Sequence, residues 1–73
     1  MRTITDLALA AFLASAGHSL RDIRRKNDRG EFVFENAARL AQDVLSFCNR
    51  RATVDPLTYA ETLRNLKAAA QAA

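Results

Sequence analysis

The sequence predicts an α+β domain in the order β-α-β-β-α-α: a small antiparallel sheet, made of a hairpin and a short N-terminal strand, packed by three helices. Three observations predict it. A β-branched run opens the chain, an alternating aromatic triplet follows a turn-forming connector, and three apolar-periodic segments each begin at a capping residue. With 73 residues there is room for one core only, so residues 1–73 are read as a single small domain.

The elements follow in order. Residues 2–5, RTIT, carry three β-branched side chains in a row and read as a short strand. Thr5 or Asp6 caps a helix that runs to about Ala16 and stops at Gly17. Leu9, Phe12, Leu13 and Ala16 form one apolar stripe, and the other faces hold small or apolar residues with almost no charge. A helix of that kind is a central one, covered on more than one side.

The next segment, HSLRDIRR, has two readings. Leu20 and Ile23 lie three apart, and Ser19 with Asp22 has the look of a capping box, both of which suit a helix. Against this, Phe32, Val33 and Phe34 alternate as a strand does, and a strand needs a neighbour for its backbone groups. The connector KNDRG holds the Asn, Asp and Gly that tolerate turn geometry. Residues 20–25 and 31–35 are therefore read as a β-hairpin turning at 26–30, with Leu20 at its entry or in a bulge.

Asn36 is expected to cap a second helix over about 37–50. Its inner stripe is read as Ala37, Leu40, Ala41, Val44, Leu45 and Cys48, with Phe47 at the margin and Asp43 facing water. Asp55 as cap and Pro56 at the first helical position start the third helix, with Val54 and Tyr59 spaced as a hydrophobic staple. Tyr59, Leu63, Leu66 and Ala70 continue one stripe. The Ala-rich tail, 68–73, has helix propensity but little to bury and is expected to fray.

Charge is unevenly placed. The chain carries 11 basic and 8 acidic residues, net +3, and residues 21–29 alone account for that surplus. They hold Arg21, Arg24, Arg25, Lys26 and Arg29 against Asp22 and Asp28. A lone cysteine, Cys48, excludes an internal disulfide and, with the lone His18, offers no metal-ligand set. It points to a reducing, cytoplasmic setting. Residues 7–17, LALAAFLASAG, have a signal-peptide flavour, but Asp6 abuts the apolar run and Arg2 is its only basic leader. No segment approaches the length of a membrane span.

TDLALAAFLASAG at 5–17, FVFEN at 32–36 and FCNRRATVDPLTYAETLRNLK at 47–67 cover most of the chain. In order and spacing they resemble domain-of-unknown-function family 5659, a family of short bacterial and phage proteins. The resemblance implies a stand-alone bacterial or mobile-element protein of the cytoplasm. It transfers no activity and no site residues, and it is weakest in the charged connector.

The chemistry is thin. Nucleophilic catalysis needs a base held beside the nucleophile, and His18 with Cys48 is the only such pair. Cys48 is read as an inert member of its helix's apolar stripe, and His18 as a residue meeting the dipole at a helix end. Glu31 and Glu35 flank Val33 on one face, where acids usually guard a strand edge. There is no phosphate-cradling glycine motif.

The expectation is therefore a non-enzymatic binding module with no cofactor, no metal and no small-molecule substrate. Its first candidate partner is nucleic acid, gripped through Arg21, Arg24, Arg25, Lys26 and Arg29 on a basic hairpin tip narrow enough for a DNA groove. The alternative is a protein partner, either a second copy or another chain, met through apolar groups such as Leu57 or Phe47 that reach beyond their stripes.

Overall fold

The computed structural model describes residues 1–73. Its elements run β1 (Arg2–Ile4), α1 (Leu7–Ser15), β2 (Leu20–Lys26), β3 (Arg29–Phe34), α2 (Ala38–Cys48) and α3 (Pro56–Ala72). The sheet is antiparallel in the order β1-β3-β2, so the aromatic strand lies in the middle. Ile4 sits across from Phe32, and Ile23 meets Phe32 from the other side. Pairing residues share a face. Ile4, Ile23, Phe32 and Phe34 thus form the inner face, and Thr3, Asp22, Val33 and Glu31 the outer.

α1 is the central helix. Leu9, Ala10, Ala11, Phe12 and Leu13 are all buried, five consecutive residues that together point in every direction around the axis. They form one core with Ile4, Phe32, Phe34, Leu40 and Leu66. Phe32, Phe34 and Leu13 are its largest fully enclosed side chains, each contributing about 1.5–3 kcal/mol of burial. Asp6 caps the helix by accepting from the Ala8 and Leu9 amides. At the other end the Gly17 amide reaches Ala14 O and the His18 amide reaches Leu13 O. That pattern needs a left-handed residue, supplied by Gly17 at φ 94.

The hairpin is tighter than its sequence implies. The turn is the two residues Asn27 and Asp28, at φ 52 and 65, and Lys26 pairs directly with Arg29. Both central residues at positive φ make the turn that matches strand twist. Gly30 is therefore not a turn residue but part of β3. A Cβ there would stand 3.1 Å from the Ala70 Cβ, so the glycine serves the close approach of α3. The register slips between Leu20 and Asp22, as a bulge at the entry requires. The extra residue turns both Leu20 and Ile23 toward the core, where they lie half-buried.

Two corrections concern α2. Asn36 is not its cap: Ala37 holds that position with an extended backbone and no side-chain bond. The helix is also rotated from the expected stripe. Leu40, Val44 and Phe47 turn inward, whereas Ala37, Ala41, Leu45 and Cys48 are exposed. The tail likewise has more to bury than its composition implies. α3 continues to Ala72, Ala70 packs on the core, and Arg25 Nη1 donates to Gln71 O at 3.2 Å.

Candidate interaction surfaces

Two long-range partners set the rotation of α2. Asp43, expected in water, instead faces His18, whose ring Nε2 lies 2.6 Å from its Oδ2. The His18 side chain is only 7% exposed, so this pair is part of the structure and not a surface ornament. Four residues on, Phe47 stacks against Phe12 with ring centroids 5.6 Å apart. Asp43 and Phe47 lie on one side of the helix, and satisfying both sends Leu45 and Cys48 outward. The lone histidine thus binds an acid on α2 in place of the expected helix dipole, and Cys48 is a free, exposed thiol in place of a core member.

The outer face of α2 is consequently unusual. Ala38, Ala41, Gln42, Leu45 and Cys48 follow helical spacing, are all exposed, and carry no charge. Leu45 is 62% exposed. The helix's charges, Arg39 and Asp43, lie to the other side, 3.7 Å apart.

This face runs through Cys48 into a groove. α2 and α3 each pack on α1 and barely touch one another, which leaves a channel floored by α1. Leu9 and Phe12 form the floor, Phe47 and Cys48 one wall, Tyr59 the other, and Ala52 and Val54 close the end. The cavity measures about 550 Å³ and its polar rim consists of Asp6 and Arg50. Asp6 is occupied as the α1 cap, whereas Arg50 makes no ion pair. Arg50 ends α2 at φ 59. Its amide bonds Phe47 O, the Arg51 amide bonds Ser46 O, and the chain thereby turns toward α3. Asp55 then caps α3 by accepting from the Thr58 amide and hydroxyl, and these bonds hold its carboxyl below the usual range. Beside the groove, Leu57 projects into solvent at 74% exposure.

The basic hairpin is the second surface, and its five cations do not act together. Arg24 Nε donates to Asp22 Oδ2 at 2.8 Å; this bond holds the Asp22 carboxyl low and raises the arginine. Arg21, the bulge residue, lies 3.9 Å from Glu35. Arg25 pairs with Gly30 on the inner face and reaches α3. Lys26 and Arg29 flank the turn and form no ion pair, lining a polar hollow with Thr5, Asn27 and Glu31.

The candidate catalytic pairs do not assemble. His18 and Cys48 line separate hollows, and Glu35 is turned to Arg21. No group of three or more His, Cys, Asp or Glu is placed to hold a metal, and no helix is long and apolar enough to cross a membrane. Sequence reasoning missed Asp43, Arg50 and the groove. An acid at the spacing of Leu40 and Phe47 was the available signal for the first.

No curated protein and no solved structure matches the chain significantly. The family model described as "Domain of unknown function (DUF5659)" matches residues 2–72, and the chain, an α+β domain from end to end, belongs to that family.

Proposed function

We propose that this chain is a non-enzymatic docking module whose contact surface is the groove between α2 and α3 together with the uncharged outer face of α2. The observation that carries the reading is the rotation of α2, which leaves Leu45 exposed among neutral neighbours beside an apolar channel. Interface cores are depleted in charge, whereas the wet face of a solitary helix normally is not. A partner presenting an apolar anchor would bury groups that now face water, each gaining about 1.5–3 kcal/mol if fully enclosed. The exposed Cys48 thiol suits a reducing cytoplasm.

The test uses an apolar probe, anilinonaphthalene sulfonate, followed by NMR. The reading expects saturable shifts at Phe47, Val54 and Tyr59, abolished when Cys48 is replaced by a bulkier, charged side chain (Cys48→Arg). Shifts spread evenly over the surface would refute it.

A second reading, nucleic-acid binding, is favoured by one observation: Lys26 and Arg29 face each other across the turn and neither forms an ion pair, although Glu31 lines the same hollow. Arg24 shares their face, but Asp22 neutralises it. Two phosphate contacts would give a slope of log K against log salt of about −2. Binding to duplex DNA that shows that slope and disappears in a Lys26→Ala, Arg29→Ala variant would establish it. Binding that survives the double change would remove it.

A further inference from the structure

We infer that the occupant of the groove is a second copy of this chain, which inserts Leu57 and sets Glu61 against Arg50 across a two-fold axis. The inference rests on the docking reading above and adds the identity of the partner.

The molecule carries a knob and a hole side by side. Leu57, the most exposed large hydrophobic residue at 74%, stands on the first turn of α3. The hole is the 550 Å³ groove, lined by seven apolar residues of nine. Val54 and Tyr59 belong to its lining and bracket Leu57 in the chain, so the knob stands within one turn of α3 from the hole, on the outward side of the helix from Tyr59. A knob beside its own hole closes under two-fold symmetry, because each copy gives and receives in one contact. Were the two features far apart, the same complementarity would build an open chain of molecules.

Charge agrees with this pairing. Asp6 on the groove rim is spent on the α1 amides, and Asp55 on Thr58. The remaining rim charge is Arg50, which has no acid partner. Glu61 lies one helical turn beyond Leu57 on the same face of α3, exposed and likewise without an ion-pair partner. With Leu57 seated, Glu61 travels to the rim and meets the partner's Arg50, twice per dimer. The left-handed backbone of Arg50 is held by its place in the α2 end, which presents the guanidinium at that rim.

A standard stable interface takes about 800 Å² from each partner, about one sixth of the 4987 Å² this chain exposes. The groove, Leu57 and the neutral face of α2 are the apolar surface that would contribute to it, and area alone does not fix the affinity.

Sedimentation equilibrium across a concentration series, with charge exchange, is the test. The native chain is expected to dimerise. Leu57→Ser, Arg50→Glu and Glu61→Arg are each expected to weaken the dimer about tenfold or more, with unchanged circular dichroism. In an equimolar mixture the Arg50→Glu and Glu61→Arg chains restore both contacts as a heterodimer, and the Arg50→Glu, Glu61→Arg double variant restores both as a homodimer, so each should regain near-native affinity. A chain monomeric at every concentration that still binds anilinonaphthalene sulfonate in the groove overturns the self-association and leaves the docking reading standing. A monomer whose groove takes no probe overturns both. A dimer indifferent to all three substitutions also overturns this pairing.

Discussion

The hairpin and the outer face of α2 handle charge in opposite ways. The hairpin holds the whole positive surplus of the chain, yet its cations are divided: Arg21 and Arg24 meet acids, Arg25 turns to the inner face, and only Lys26 and Arg29 stay free. The face of α2 holds no charge at all, and Leu45 stands open there beside an apolar groove. A charge-rich segment can thus be electrostatically quiet, while a neutral one exposes the groups that gain most from a partner. Linear density of charge is a poor guide to a surface; what matters is which face each residue occupies and what already sits next to it.

The largest effect expected from breaking this comparison lies on α2. Phe47→Ala should cost about 3 kcal/mol because it removes the stack on Phe12, whereas Leu45→Gln, two residues away, should stay within about 0.5 kcal/mol. Urea denaturation of the two variants at low protein concentration measures both. Equal costs would mean that α2 is not rotated as described.

Next is the pair that holds the rotation. His18→Ala leaves Asp43 half-buried with only the exposed Arg39, 3.7 Å away, to face, and a loss of about 1–3 kcal/mol is expected. A thermal melt checks it, and Asp43→Ala in the same background should add little. Additive losses would show that the two residues do not work as one unit.

On the hairpin the effects are smaller and of different sign. Asp28→Gly puts the preferred residue at a left-handed turn position and should stabilise the chain by about 1 kcal/mol. The change also removes an acid from the tip, so a DNA-binding hairpin would tighten on DNA in the same variant. Unchanged DNA affinity in a more stable protein would favour the docking surface.

Smallest of all is the Asp22–Arg24 pair. The hydrogen bond from Arg24 depresses the Asp22 carboxyl, so whatever stability it lends is present above the ordinary aspartate range and fades as pH falls through the lower folded value. Both side chains are more than half exposed. Asp22→Asn should therefore leave the thermal midpoint at neutral pH unchanged in high salt, and differ from the native chain only in the loss of a shallow acid-side slope below about pH 4. A large shift at neutral pH would show the hairpin to be a stronger electrostatic unit than its geometry describes.

Much of the fold is legible in the residues themselves. Gly17 and Asp6 mark both ends of α1, Asp55 and Pro56 start α3, and the alternation of Phe32, Val33 and Phe34 makes the middle strand. The entry bulge follows from Leu20 and Ile23 needing one face. The rest was hidden for a physical reason. α2 contains two apolar stripes that share Leu40 and Val44 and differ by a small rotation, one completed by Phe47 and the other by Ala41, Leu45 and Cys48. Periodicity cannot choose between them, because the choice belongs to His18 and Phe12, remote in the chain. Gly30 misled in the same manner. A glycine after Asp28 and Arg29 reads as turn chemistry, while its use comes from Ala70 on the last turns of α3. The groove depends on α2 and α3 standing apart over α1, a tertiary arrangement with no local signature.

The most direct measurement is the reactivity of Cys48 toward a small aromatic disulfide in the folded chain. With α2 rotated as described, the thiol of the dilute protein should react within about tenfold of the unfolded chain's rate, and slow as rising concentration brings a partner over the groove. Protection of Cys48 in the dilute monomer, lifted only by denaturant, would place it in the core with Leu45 and contradict the account.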